Sequence, residues 1–221
     1  MKKFVLVFLV LSFGIMFQSA NAQISIAPEF GLNFASLGIL SSGKRLSTAY
    51  SSSSLKTGVG VGATINYDLN NDIYLESGLF YKMTGAKISQ GDTNITYSVN
   101  TIEIPVNAAY KFAKKKDRNY FFVGIGIYLA DNLSGKLNGS QSRSLNIGST
   151  AGTDDFKAID LGAGLNIGRV VKYRYLLRLH SQFGFTNLYP GGNADNLIKT
   201  YAFGITVGYF VSGKSPKKTG T

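Results

Sequence analysis

Cysteine is absent from the 221 residues. That excludes a lipidated N-terminal cysteine, a disulfide framework and thiolate chemistry. The absence suits an exported chain that folds without oxidative help. Histidine occurs once, at His180, so an imidazole-rich metal centre is excluded as well. Charge is sparse: 16% of residues carry it, with 23 basic against 12 acidic, for a formal net charge of +11. Beyond the N-terminal segment no apolar run approaches the roughly 20 residues that a membrane-spanning helix needs. The chain has instead 26 glycines, 13 tyrosines and 15 phenylalanines, a composition of tightly packed strands and aromatic girdles.

The first residues are Met1-Lys2-Lys3, an apolar run from Phe4 to Phe17, and then Gln18-Ser19-Ala20-Asn21-Ala22. A positive start, an apolar middle too short to span a bilayer and an A-x-A site predict a secretory signal peptide, residues 1–22, cut before Gln23. Its removal takes away Lys2 and Lys3 and lowers the formal charge to +9. The remainder has the length of one β domain.

The most informative stretch is Thr101–Phe112, TIEIPVNAAYKF. Ile102, Ile104, Val106, Ala108, Tyr110 and Phe112 fall on one face of an extended chain, and Glu103, Pro105, Asn107, Ala109 and Lys111 on the other. A long strand with one apolar and one polar face fits poorly in a soluble core. It fits a membrane barrel, with lipid outside and a polar interior. The pattern recurs along the chain. From Ile24, Ile26, Phe30, Leu32 and Phe34 alternate with Ser25, Ala27, Glu29, Gly31 and Asn33. Further staves are expected at about Thr57–Leu69, Ile73–Ile88, Thr101–Phe112, Tyr120–Ala130, Phe156–Gly168, Arg174–Leu188 and Lys199–Phe210. Between them lie tight turns at 70–72, 114–119 and 169–173, and serine- and glycine-rich loops at 36–56, around 90–94, at 131–155 and around 190–192. The loops read as mobile, solvated covers with nothing to bury. The prediction is all-β: an eight-stranded antiparallel up-and-down transmembrane β-barrel over 23–210, its interior filled by side chains, with a basic periplasmic tail over 211–221. Loops outside the cell, turns and both termini in the periplasm, and two girdles of Tyr and Phe complete the outer-membrane pattern.

Five runs carry a family resemblance: LESGLFY with GAK over 75–87, IEIPVNAAYK over 102–111, the D-x-G-x-G run at Asp160–Gly164, FGFTNL at Phe183–Leu188, and the closing FGITVGYF. Together they resemble the PorT-type outer-membrane β-barrel family over about Ile24–Phe210. The resemblance implies an eight-stranded barrel in the bacterial outer membrane. In some members of that family the barrel is tied to a protein secretion and gliding machine.

Strand parity points Glu29, Glu76, Lys82, Glu103, Asp160 and Arg178 into the bore, with His180 beside them, and Lys111 near one end. Phe80, Phe122, Tyr128 and Arg178 are large enough to occupy the space left by inward glycines. Folding the third and fourth staves together is expected to set Lys82 opposite Glu103, an ion pair that lowers the cost of holding charge there. The expected role of the set is a structural polar network, with a proton or substrate path as the alternative. A catalytic His180 needs a serine, and the adjacent Ser181 points to the opposite face. No catalytic, cofactor or metal residues are expected. The run Gly208–Ser215 formally matches G-x(4)-G-K-S, but Pro216 follows at once, so the helix that a phosphate loop requires has no room to form.

Positive charge gathers at the turn end: Lys114, Lys115, Lys116 and Arg118 in one turn, Arg169, Lys172 and Arg174 in another, and Lys214, Lys217 and Lys218 in the tail. These are either solvated charges or contacts to anionic lipid or to a periplasmic or envelope protein partner. Nucleic acid is not expected, because no basic face is interleaved with exposed aromatics. The sequence thus predicts a non-enzymatic outer-membrane barrel with a structural or accessory role in envelope assembly. The rivals are a small-solute porin and, behind it, a lipid-modifying enzyme using His180.

Overall fold

The computed structural model describes residues 24–41, 44–45, 51–90, 93–113, 119–139 and 142–211. The N-terminal segment 1–22, the basic turn 114–118 and the tail beyond Val211 lie outside the described residues. Ten strands follow in order: β1 (Ile24–Ser41), β2 (Lys44–Arg45), β3 (Ser51–Asp68), β4 (Ile73–Gln90), β5 (Thr93–Ala113), β6 (Tyr120–Asn138), β7 (Arg143–Leu145), β8 (Ile159–Val171), β9 (Tyr175–Gly184) and β10 (Leu197–Tyr209). Eight of them form a closed antiparallel cylinder in the circular order β1, β3, β4, β5, β6, β8, β9, β10. Closure runs from Glu29↔Gly208 to Leu40↔Leu197. The short β2 and β7 extend the edges of β1 and β6.

Alternation decides the faces. Phe30, Val61, Leu79, Ile125, Ile167, Leu179 and Val207 are exposed on the outside, while Ala27, Glu29, Thr64, Glu76, Phe122, Ala130 and Ala202 are buried inside. An apolar exterior on every stave is a surface for hydrocarbon, not water. Tight turns close one end. At Asn70 the side-chain oxygen accepts from the amides of Asp72 and Ile73 at 2.8 and 2.7 Å, so the Asn-Asn-Asp turn supplies its own acceptor. At the β8–β9 turn Lys172 and Tyr173 both take positive φ (54° and 56°), and Arg174 N–H donates to the Val171 carbonyl at 3.0 Å. That is the geometry of a hairpin whose turn twist matches its strands.

The staves run past the expected limits. β5 begins at Thr93, so the supposed loop around 90–94 is a hairpin closed by Gln90↔Thr93. Ser51–Leu55, expected in a loop, is strand paired with Ala86–Gln90. β6 continues to Asn138 and carries β7 on its edge. These extensions lack the apolar alternation of the staves. Backbone pairing carries them, with side-chain bonds such as Asn100 Nδ2 to Ser134 Oγ (3.1 Å) across the ladder. β9 in turn stops at Gly184 rather than 188. Beyond it the Phe185 amide donates to the Leu161 carbonyl at 2.7 Å, and Thr186 Oγ1 accepts from Leu161 N–H at 2.9 Å. Pro105 sits within β5, where it lacks a donor; Ser77 Oγ donates to its carbonyl at 2.9 Å.

Two apolar clusters occupy opposite ends of the cylinder. Ala27, Tyr74, Phe122, Val170, Leu176 and Phe210 pack at the turn end. Leu37, Ala86, Val99, Leu145, Phe156 and Leu188 pack at the loop end. The second cluster corrects the reading of the loops as covers with nothing to bury: Phe156 and Leu188, expected to be stave residues, turn inward over the mouth at 3% exposure each. That is why β8 starts only at Ile159. Inward glycines make room for neighbouring rings. The Phe122 ring lies against Gly168 and the Tyr128 ring against Gly162, in both cases where a β-carbon would overlap it.

Candidate functional site

Between the two apolar clusters lies a charged layer. Glu29 and Asn33 come from β1, Thr64 from β3, Glu76 and Lys82 from β4, and Glu103 and Asn107 from β5. Asp160 comes from β8, Arg178, His180 and Gln182 from β9, and Thr206 from β10. Glu29, Glu76, Lys82, Glu103, Asp160 and Arg178 are all buried, and His180 is partly buried.

Arg178 is the hub. Its Nη1 and Nη2 grip the two oxygens of Glu76, the latter at 2.6 Å, and Nη2 also donates to Glu29 at 3.1 Å. In the circular order β9 and β4 are four staves apart in either direction, so this bidentate pair crosses the full bore. Asn107 Nδ2 donates to Glu76 at 2.9 Å. Thr206 donates to Glu29 at 3.1 Å, and Thr64 donates to the other oxygen of the same carboxylate. The guanidinium also stacks over Phe122, 5.6 Å from the ring centre. Two carboxylates and one cation are thereby held with nearly every oxygen satisfied, as burial of charge demands.

A second group lies toward the loop end. Lys82 Nζ donates to Glu103 at 2.7 Å and to Gln182 at 3.2 Å, while Gln182 Nε2 donates to Glu103 at 2.7 Å. The ion pair is not directly opposite, as expected from the hairpin. Lys82 faces Thr101 and Phe80 faces Glu103, so the pair closes diagonally over two residues. Tyr128 donates to Asp160 at 3.3 Å. His180 Nε2 lies 3.3 Å from Asn33 Oδ1. Arg178, His180 and Lys82 border a cavity of about 40 Å³, beside which Asn33 Nδ2 and Arg178 Nε have no protein partner. No group of three metal-ligating side chains occurs among the described residues.

Parity pointed to the seven charged residues but missed Asn33, Thr64, Asn107, Gln182 and Thr206. As uncharged residues on polar faces they carried no distinguishing signal; only register brings them to a carboxylate or to His180. Near the turn end Lys111 pairs with Asp68 and lies 5.0 and 5.5 Å from the rings of Tyr74 and Tyr120. Arg169 stacks on Phe121 at 4.9 Å, and Arg174 donates to the Tyr209 hydroxyl at 2.7 Å. Basic side chains thus sit on the aromatic belt. The predicted contacts Lys114, Lys115, Lys116 and Arg118 lie outside the described residues.

A family model described as outer membrane protein β-barrel domain matches residues 16–189. No curated protein sequence matches. Solved structures similar to this chain include Neisserial surface protein A (13% identity, 86% of this chain and 99% of that one, TM-score 0.45). OprG of Pseudomonas aeruginosa matches at 12% identity over 86% of this chain and 96% of that one, TM-score 0.45. Ail, the attachment invasion locus protein of Yersinia pestis, matches at 11% identity over 84% of this chain and 97% of that one, TM-score 0.43.

Proposed function

The chain belongs to the outer membrane protein β-barrel domain family, a family of the bacterial outer membrane, and on that premise we propose that it is a non-conducting, non-enzymatic barrel with an accessory role in envelope assembly. The observation that carries this reading is the bore itself. Arg178, Glu76 and Glu29 tie opposite walls together between two apolar clusters, and the cavity beside them holds about 40 Å³, room for only a few waters. A solute path would have to break a buried bidentate ion pair and pass an apolar layer at each end.

The signal peptide over 1–22 and the periplasmic placement of the turns and termini belong to the same proposal, as does a role beside a secretion or gliding machine. The motif runs that resemble the PorT-type family support that role. His180 is held by Asn33 and has Ser181 on the opposite face, which weighs against the lipid-modifying enzyme. The test is single-channel recording in planar bilayers. No steady conductance steps are expected from the folded protein. Reproducible steps would make it a small-solute porin instead.

A further inference from the structure

A larger cavity lies over the loop-end mouth and measures about 340 Å³, within the range of small-ligand sites. Ile39 and Ile198 contribute an apolar part of its wall. Tyr97, Phe156 and Tyr189 contribute three aromatic side chains, with the Tyr97 and Phe156 rings 6.0 Å apart and tilted by 58°. The remaining wall comes from the segment 143–155, which the sequence presented as a solvated loop.

That segment is built, not slack. Arg143 donates to both oxygens of Asp155 at 2.7 and 2.6 Å, and Asp155 also accepts from the Asn146 amide at 2.9 Å. Asp154 Oδ2 accepts from the Thr150 amide at 2.7 Å, and a β-carbon at Gly148 would overlap this carboxylate. Gly191, at φ +75°, brings the neighbouring loop against Ala151. The charges along this wall do not cancel. Arg143 neutralises Asp155, whereas Asp154 has no ion-pair partner among the described residues. The cavity therefore has an apolar and aromatic side, from Ile39, Tyr97, Phe156, Tyr189 and Ile198, and a polar side, from Arg143 and 152–155, where the charged lining residues sum to one net negative charge. Aromatic rings and a carboxylate left over once Arg143 is paired with Asp155 both favour a cation, and the isoleucines favour an apolar body attached to it.

We propose that this cavity is a binding site for a small organic cation with an apolar or aromatic body, such as a quaternary ammonium or an arylalkylamine, arriving from outside the barrel's loop end. Asp154 supplies the charge, Tyr97, Phe156 and Tyr189 the aromatic wall, and Ile39 and Ile198 the apolar contact.

The test is methyl NMR of the folded protein in uncharged maltoside micelles, which carry no ammonium group, with isoleucines labelled, titrated separately with benzyltrimethylammonium, benzyl alcohol and benzoate. The cation should shift the Ile39 and Ile198 methyls saturably, while Ile125 and Ile167 on the outer wall stay still. It should bind about three- to tenfold more tightly than the neutral alcohol. Asp154→Asn keeps an oxygen for the Thr150 amide and should erase that preference; Tyr189→Ala, at an exposed ring, should weaken the cation in an otherwise unchanged spectrum. Absence of saturable shifts at the two methyls, equal binding of cation and alcohol, or tighter binding of benzoate by wild type would each overturn the proposal. So would an Asp154→Asn protein that keeps the preference.

Discussion

Arg178 shows most directly what a single side chain decides. It is held at 6% exposure with two carboxylates on it, so deleting it strands Glu76 and Glu29 without a counter-charge. Arg178→Met is expected to destabilise the barrel by about 3–5 kcal/mol, read as the shift of the urea midpoint in detergent micelles. Replacing Glu76 by Leu and Glu29 by Gln in the same chain should recover most of that loss; no recovery would mean that the arginine acts by packing alone. At the loop end the relevant pair is Arg143 with Asp155. The Arg143 hydrogen bonds, reinforced by its charge, hold the Asp155 carboxyl below its ordinary range. The folded segment thus binds the carboxylate form more strongly than the unfolded one does. Its contribution is complete above the ordinary carboxylate range and is lost as acid carries the pH down through the depressed value. Methyl signals of Leu145 and Ile147 should therefore move only on acidification below the ordinary aspartate range, about pH 4, while barrel methyls hold, and Asp155→Asn should remove the transition. Which charges point inward was legible from parity. The pairing of Lys82 with Glu103 on neighbouring staves was legible too, but that of Arg178 with Glu76 was not, because they are 102 residues apart and come together only when the cylinder closes.

Among the elements, those facing lipid were legible and those beyond it were not. The run from Ile102 to Phe112 shows its face in every second residue, since hydrocarbon demands apolar side chains and the bore tolerates polar ones. Ser51–Leu55 shows nothing of the kind and is strand all the same, fixed by pairing with β4. Phe156 and Leu188 misled for the opposite reason: apolar residues near stave ends look lipid-facing until the fold turns them over the mouth. Turns offer a sharper test. Lys172 occupies the left-handed region, which a side chain with a β-carbon enters at a cost and asparagine enters more readily. Lys172→Asn should raise stability by about 0.5 kcal/mol and Lys172→Val should lower it, both measured by urea unfolding, provided that the amide at 172 keeps its bond to Asn119 Oδ1 (2.9 Å).

For the whole molecule, guanidinium groups sit against the aromatic belt of the turn end. Arg169 on Phe121 and Arg174 on Tyr209 place guanidinium groups where a leaflet's phosphates would lie. If the basic turn extends that belt, changing Lys114, Lys115 and Lys116 to Glu should weaken photo-crosslinking from the neighbouring belt to anionic lipid or to a periplasmic protein in native membranes. Unchanged crosslinks would reduce the turn to solvated charge. The diametric ion pair also bears on time. Glu29 and Glu76 lie in the first half of the chain, and their cation arrives on the penultimate large stave, 149 and 102 residues later. A half-assembled sheet would expose two carboxylates to hydrocarbon with nothing to balance them, so partial insertion is penalised until β9 and β10 reach β1. The bore's electrostatics thus favour the completed ring over a sheet that has yet to close.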